Sequence, residues 1–178
     1  MNQSQINIVR LTFSNVSEEY VNWLNDPVIN QYLESRYIKH DLASVKLFVE
    51  AMSQDNTNFL FGMFCKKTSK HIGNIKLGPI DYRYKRADIG LIIGNKNYWG
   101  KGIATEAIAL ITDFAADELN LHKLEAGCYI SNIGSLKAFL KEGYLIEGTL
   151  KEHVKLDEQW EDCYRLGKVL NNKTKGKF

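Results

Sequence analysis

The hydrophobic positions of this chain follow two different spacings, and the change falls near its middle. Before that point, three apolar runs at residues 59–65, 71–77 and 87–93 are separated by polar, turn-forming stretches, which predicts a meander of antiparallel strands. The run at 87–93 is apolar almost throughout, so we expect it to lie in the centre of the sheet. Residues 6–11 alternate weakly and predict one further strand at the start.

Two helices are predicted between the first strand and the meander. Ser17 followed by two acidic residues is typical of a helix start, and we expect Pro27 to end that helix. Residues 42–52 have apolar side chains at helical spacing and predict the second helix.

The second half of the chain has the spacing of an α/β unit. Residues 102–119 carry apolar side chains on one helical face, and residues 121–129 predict the strand that follows. A strand, a helix and another strand in this order form a right-handed crossover, so the strands at 87–93 and 121–129 should be parallel. The remaining pattern predicts a short helix and two final strands, at residues 135–141, 145–156 and 160–169.

Composition sets limits on this picture. Of the 178 residues, 1–170 are expected to form a single α/β domain and 171–178 a polar, basic, disordered tail. The net charge of +2, from 23 basic and 21 acidic residues, argues against nucleic acid as a partner. No apolar run is long enough to span a bilayer, so we expect no membrane partner.

The start of the chain and its cysteines indicate the compartment. The first five residues are polar and uncharged, which predicts no secretory signal. Three widely spaced cysteines without a CxxC pair are typical of reduced thiols in a cytoplasmic protein. The four histidines show no metal-ligand spacing, so we expect no metal.

Two glycines, Gly100 and Gly102, stand directly before the long predicted helix. The first turn of a helix leaves about four backbone N–H groups without internal partners, and with the helix dipole they form a site for an anion. Glycines also let the main chain approach a phosphate closely. The pair alone leaves two interpretations open, a tight turn or a pyrophosphate cradle, because it matches neither a Walker loop nor a GxGxxG fingerprint.

The residues around this glycine pair resemble a known family. Residues 98–107 are similar to the acetyl-CoA loop of the Gcn5-related N-acetyltransferases (GNAT), in the variant of the ribosomal-protein N-terminal acetyltransferases. Residues 87–90, 132–144 and 159–162 resemble the family's preceding strand, its Asn-x-x-Ser…Gly-Phe segment and its closing hairpin. Asn97 departs from the Gln or Arg that begins the family loop.

The resemblance implies the GNAT fold, a mostly antiparallel sheet of six or seven strands with a parallel, splayed pair in its middle and about four flanking helices. It also implies an N-acetyltransferase, a monomer or homodimer, that moves the acetyl group of its cofactor acetyl-CoA to a primary amine by direct attack in a ternary complex. The implied coenzyme residues lie in the central strand, the glycine loop and the two helix starts: Leu91, Ile92, Ile93, Trp99, Gly100, Lys101, Gly102, Ile103, Ala104, Thr105, Asn132, Ser135 and Lys137. Asn132 also suits an N-cap, and Lys101 and Lys137 also suit a solvated surface.

Two residues are candidates for acid–base chemistry by this resemblance. Asp88 stands where several family members have a glutamate base, and the alternative is a structural carboxylate at a strand edge. Ser135 matches a serine proposed as the acid in the N-terminal acetyltransferase branch, and the alternative is a capping role. The tyrosine that many members use to protonate the leaving thiolate is replaced by Phe139, which has no proton to donate.

The resemblance assigns acceptor recognition to the first two helices and the closing hairpin. The first of these stretches also fits an ordinary helix–loop–helix with a proline stop. The candidate lining residues are Trp23, Arg36, Tyr37, His40, His153 and Trp160.

The implied acceptor is a protein or peptide N-terminal amine or a small amine. A nucleotide-linked amino sugar is the alternative, and Arg36 would suit a phosphate or carboxylate on an acceptor. Two other classes of function stay open, a non-catalytic acetyl-CoA-binding sensor and a nucleotide-binding regulator.

Overall fold

One seven-stranded sheet organises the chain. The computed structural model describes residues 4–170, and the predicted tail at 171–178 lies outside them. In chain order the strands are β1 Ile6–Arg10, β2 Phe59–Cys65, β3 His71–Asp81, β4 Arg86–Ile93, β5 Lys123–Tyr129, β6 Leu145–Leu156 and β7 Gln159–Val169. Across the sheet their order is β1-β2-β3-β4-β5-β7-β6, in which β4 and β5 are parallel and the other described pairs are antiparallel. The predicted mixed sheet with a parallel pair in its middle is therefore confirmed.

The helices flank this sheet, and residues 4–170 contain one more than the sequence suggested. In chain order they are α1 Glu18–Asn25, α2 Pro27–Asn30, α3 Leu42–Gln54, α4 Ile103–Asp117 and α5 Ile133–Lys141. Pro27 begins the short helix α2, because a proline at the first helical position loses no hydrogen bond. Asp26 caps that helix by accepting from the N–H of Val28 at 2.9 Å. Within residues 4–170, no helix is both long and apolar enough to cross a membrane.

Strand β3 is longer than its pattern indicated. Gly78 and Pro79 suggest a break after Leu77, yet pairing with β4 resumes at Ile80 after a shift of register. A β-bulge absorbs the proline, which has no N–H to give to the ladder.

The two faces of the sheet are covered by different helices. α4 and α5 pack on one face in the larger core, which includes the buried ring of Phe139. α1 and α3 pack on the opposite face over the β1–β2 side, where Val49 and Leu60 belong to a second core. Above β4 and β5 this second layer stops, and Gly90 and Gly127 are exposed. We call this uncovered area of β4 and β5, on the side away from α4, the open face.

Candidate functional site

The loop before α4 presents a row of unpaired main-chain donors. Gly100 and Gly102 have φ angles of +70° and +79°, which L side chains rarely adopt. Gly102 is the N-cap of α4 and has no side chain to satisfy the first turn. Within residues 4–170, no oxygen accepts a hydrogen bond from the N–H groups of residues 100–105. A Cβ built on either glycine meets no atom within 4 Å, so the donors border open space and can bind an anion.

The first turn of α4 is tied to the beginning of β1. The Glu106 carboxylate accepts from the hydroxyl of Ser4 at 2.6 Å and from the N–H groups of Gln5 at 2.9 Å and Ile6 at 3.1 Å. The side chain of Gln5 donates to the carbonyl oxygen of Lys101 at 3.2 Å. These bonds engage the carboxylate of the first turn and a loop carbonyl, and the loop N–H groups stay free.

Helix α1 supports the start of the same loop from the other side. The indole of Trp23 lies so close to Gly94 that a Cβ there would be 1.9 Å from its Cδ2. Lys96, two residues on, forms a 2.7 Å ion pair with Asp26. Trp23 is a predicted acceptor residue, but it is only 5% exposed and packs in the second core.

Strands β4 and β5 separate after a short paired stretch. They pair at three positions, of which the last joins Asp88 to Glu125. Residues 89–93, which include the predicted coenzyme residues of β4, have no ladder partner on the β5 side within the described sheet. The Trp99 indole donates to the carbonyl oxygen of Ile93 at 2.8 Å, at the end of this free edge. We call the opening between the two strands the splay; its free edge suits an extended ligand that carries amides.

The start of α5 borders the splay from the β5 side. The side chain of Asn132 caps the helix by accepting from the N–H of Ser135 at 3.2 Å. The thiol of Cys128 donates to the carbonyl oxygen of Asn132 at 3.7 Å, and burial raises its pKa to about 11. Lys137, like Lys101 of the loop, is exposed.

The aromatic residues of α5 and its C-terminus belong to the core. Phe139 is 2% exposed, and its ring centroid lies 5.0 Å from that of Tyr144. The Tyr144 hydroxyl shares a 3.0 Å hydrogen bond with Thr112, and burial raises its pKa to about 12. Neither ring presents a proton donor to the splay.

Asp88 belongs to a charged network on the open face. Its Oδ1 lies 2.7 Å from Nη2 of Arg165, which is also 3.5 Å from Oε2 of Glu125. Lys123 completes the network at 3.6 Å from Oε1 of Glu125. Asp88, Glu125 and Arg165 line a cleft of about 320 Å³. Sequence reasoning missed Arg165, because only the pairing of β5 with β7 brings its side chain within reach of Asp88 on β4.

Glu34–Tyr37, a single 3-10 turn that we call the strap, fastens the α1–α3 layer to the hairpin of β6 and β7. The side chain of Arg36 is 10% exposed. Its guanidinium donates to four oxygens: the carbonyl of Leu33 at 2.8 Å, the hydroxyl of Tyr129 at 3.1 Å, the hydroxyl of Tyr37 at 2.7 Å and the carbonyl of Lys155 at 2.7 Å. Arg36 and Tyr37 therefore reach the hairpin as predicted, but the N–H groups of Arg36 are engaged by the protein itself.

Tyr129, at the end of β5, joins the strap to the edge of the splay. Its hydroxyl donates to Oε1 of Glu34 at 2.6 Å. Burial, and then the hydrogen bond to Glu34, raises the pKa of Tyr129 to about 12. The tyrosine stays neutral at physiological pH and is a positioning group here. No motif in the sequence indicated this residue.

The other predicted acceptor residues lie around the hairpin and the strap. Trp160 is 63% exposed and lines a surface cleft of about 440 Å³ together with Asp157 and Glu161. His40 contacts the strap through its ring, 3.1 Å from the carbonyl oxygen of Ser35. His153 is exposed on β6. The acidic cleft thus lies between the hairpin and the end of β5, and neither the strap nor Trp23 lines it.

The described residues also bear on metals and thiols. In the part of the chain that the structure describes, no group of three His, Cys, Asp or Glu side chains is arranged to hold a metal ion. The thiols of Cys65, Cys128 and Cys163 are free and buried.

Comparison with known proteins agrees with this geometry. The family profile described as "Acetyltransferase (GNAT) domain" matches residues 9–144. A probable N-acetyltransferase of Bacillus subtilis (strain 168), YjcK, is 36% identical over 125 residues, which are 70% of this chain and 67% of that protein. The spermidine N(1)-acetyltransferase of Escherichia coli (strain K12) is 31% identical over 94 residues, which are 53% of this chain and 50% of that protein.

A solved structure has the same fold over nearly the whole length. The spermidine N-acetyltransferase from Vibrio cholerae, in complex with CoA and spermine, superposes with a TM-score of 0.86 at 23% identity and covers 96% of this chain and 98% of that one. The family profile spans most of the chain, and the fold, the free donors before α4 and the splay all agree with it. The chain therefore belongs to the GNAT family of acetyltransferases.

Proposed function

We propose that the protein transfers the acetyl group of acetyl-CoA to a primary amine of a small, cationic acceptor of the polyamine class. The observation that carries the proposal is the charge of the acceptor side. Asp157 and Glu161 line the cleft beside the hairpin, and the side chain of Glu34 on the strap is 78% exposed. Such carboxylates favour an ammonium-bearing acceptor. The names of the spermidine acetyltransferases among the similar proteins point to the same class.

The same cleft argues against an acceptor that carries phosphate, such as a nucleotide-linked amino sugar. Arg36, the cation that would suit a phosphate, gives its N–H groups to protein oxygens. Lys155 is paired with Glu158. A phosphate would therefore have to displace existing hydrogen bonds and lie beside carboxylates.

Binding of the coenzyme rests on main-chain groups. The N–H groups of residues 100–105 hold the diphosphate, each contributing roughly 1.5–3 kcal/mol as a hydrogen bond to a charged oxygen. The exposed side chains of Lys101 and Lys137 add positive charge nearby. The free edge of β4 at residues 89–93 pairs with the amides of the pantetheine arm. Acetyl-CoA, when bound, supplies a thioester carbonyl that a neutral amine can attack.

Two side chains act in acid–base chemistry in this proposal, one toward the amine and one toward the leaving sulfur. Deprotonating an amine with a pKa near 10.4 costs about 4.6 kcal/mol at pH 7, so a base is useful. Asp88 takes up the amine proton through water, while Arg165 fixes the orientation of its carboxylate. Ser135 gives a hydrogen bond to the sulfur that leaves, since Phe139 has no proton to donate.

A thiol-release assay tests the proposal directly. Acetyl-CoA is mixed with the protein and with one of three acceptor classes: polyamines, peptides with a free N-terminus, and nucleotide-linked amino sugars. We expect the highest kcat/KM for a polyamine. A higher kcat/KM for a peptide or an amino sugar would contradict the acceptor class. Binding of acetyl-CoA without turnover of any amine would instead identify a sensor.

A further inference from the structure

Gly90 is a glycine that the fold does not require. It lies inside β4, where its φ is not in the left-handed region that favours glycine. A Cβ built on it meets no atom within 4 Å. Packing explains two other glycines of the sheet, since a Cβ at Gly62 would lie 2.7 Å from Leu11 and one at Gly73 would lie 2.4 Å from the carbonyl oxygen of Ile92. A strand interior is otherwise a poor place for glycine, which loses the most conformational freedom on folding.

The position of Gly90 links this free space to the splay. The last pair between β4 and β5 joins Asp88 to Glu125, so two residues further on Gly90 stands level with Gly127. Both glycines are exposed. Gly127 likewise has only the thiol of Cys163 near its missing Cβ, at 3.7 Å. The two separating strands therefore have no side chain at this level.

The free space lies on the side of the sheet away from the coenzyme loop. Successive side chains along a strand point to opposite faces of the sheet. Ala87 and Ile89 pack in the larger core beside α4, so position 90 lies on the open face. Asp88 points to the same side and is flanked by the network of Arg165. On β3, Lys76 is the cross-strand neighbour of Gly90.

We propose that Gly90 determines acceptor specificity, because the carbon chain of the acceptor lies in the space above it while the amine enters the splay. The inference rests on the proposed function and adds a shape requirement to it: the chain next to the reacting nitrogen is unbranched. A side chain at position 90 occupies this path and leaves the donors before α4 untouched.

Two valine substitutions test the role of Gly90. Gly90→Val adds a β-branched side chain that the backbone and the neighbouring atoms accommodate. Gly148→Val is the matched control, because Gly148 also lies in a strand with no atom within 4 Å of its missing Cβ; it pairs with Arg165 from β6, on the side of β7 away from the splay. Three quantities are measured for each variant: the affinity for acetyl-CoA by calorimetry, the melting temperature, and kcat/KM for the amine that the unmodified protein uses.

For Gly90→Val we expect unchanged acetyl-CoA affinity, an unchanged or higher melting temperature and a loss in kcat/KM of about 100-fold, because displacing the acceptor by an ångström has an effect of that size. Gly90→Ala should lose less, and Gly148→Val nothing. Equal kcat/KM in the two valine variants would overturn the inference, as would a loss of acetyl-CoA affinity in Gly90→Val. If the unmodified protein acetylates no amine at all, the proposed function fails instead, and the two failures are thus distinguishable.

Discussion

The proposed coenzyme side and the proposed acceptor side of the splay are built from different parts of the chain. On the coenzyme side, the donors are consecutive main-chain N–H groups of residues 100–105, and two left-handed glycines shape their loop. On the acceptor side, the strap, the end of β5 and the hairpin meet through side chains, with Arg36 at their centre. The first arrangement is local in sequence and depends on backbone conformation. The second depends on contacts between residues about a hundred positions apart.

The largest effect should come from breaking the coenzyme side. Gly102→Glu places a carboxylate beside the donors and strains the backbone at a φ of +79°. We expect acetyl-CoA affinity to fall about 1000-fold, since two or more charged hydrogen bonds are lost. Gly143→Glu is the control, because Gly143 has the same φ of +79° at the end of α5. Calorimetry should show a loss of affinity in the first variant alone; equal affinities would refute the loop assignment.

Asp88→Asn should give the next largest effect, confined to the acceptor side. We expect turnover at pH 7 to fall about 100-fold, the usual contribution of a general base, with unchanged acetyl-CoA affinity. The loss should shrink toward pH 9, where more of the amine is already neutral. Glu125→Gln is the control, because Glu125 shares the partner Arg165. Turnover of Asp88→Asn is compared with that of the unmodified protein at each pH. If this ratio does not change with pH, Asp88 is not part of the proton pathway.

Arg36→Met should loosen the strap while leaving the chemistry intact. The four hydrogen bonds of the guanidinium disappear, and we expect the acceptor KM to rise about tenfold with little change in kcat. Arg10→Met is the control, because Arg10 donates to the carbonyl oxygens of Met52, Ser53 and Asp55 at the C-terminal end of α3, away from the splay. Both variants should melt at lower temperature. If KM rose equally in both, general destabilisation would explain the effect.

The smallest effects should come from two buried tyrosines, one in each core, whose ionisation makes stability depend on pH. Burial raises the pKa of Tyr20, in the second core, and of Tyr144, in the larger core, from 10.0 to about 12. The folded state holds these protons more tightly than the unfolded state. Each tyrosine's contribution to the free energy of unfolding is therefore complete below pH 10 and is lost as the pH rises through 12, by about 1.4 kcal/mol per pH unit. Urea titrations at pH 9, 10 and 11 measure this slope.

Phenylalanine variants show how much each core contributes to the slope of the free energy of unfolding against pH. Tyr20→Phe should make it shallower at little cost at pH 7, because burial rather than a hydrogen bond raises the pKa of Tyr20. Tyr144→Phe should make the slope shallower too, but at pH 7 it should lose about 1 kcal/mol through its bond to Thr112. An unchanged slope in both variants would contradict the assignment.

The same contrast explains which features the sequence could predict. Strands, helices and the parallel pair follow from hydrophobic spacing, which is local, and the glycine loop follows from a run of about ten residues. The start of α2 at Pro27 and the bulge in β3 at Pro79 were missed. Proline in a sequence predicts the end of a helix or strand unless its hydrogen-bonding context is known.

The acceptor side was predictable only in outline. Arg36 was a candidate for binding an acceptor anion, but the structure turns its N–H groups to Tyr129 and Lys155. Neither partner carries a motif, and neither is near Arg36 in the chain. The pairing of Asp88 with Arg165 likewise depends on the register across β4, β5 and β7, which one sequence does not encode in any short segment.

Trp23 and Asp26 connect the α1–α3 layer to the start of the loop before α4, through the contact of the indole with Gly94 and the ion pair with Lys96. Helix α1 and the loop before α4 are therefore in direct contact, which offers a route for coupling between the two proposed ligand sites. The consequence is thermodynamic reciprocity: whatever factor the coenzyme applies to the affinity for the amine, the amine must apply to the affinity for the coenzyme. Measuring either binding constant in the presence of the other ligand would give the size of this coupling.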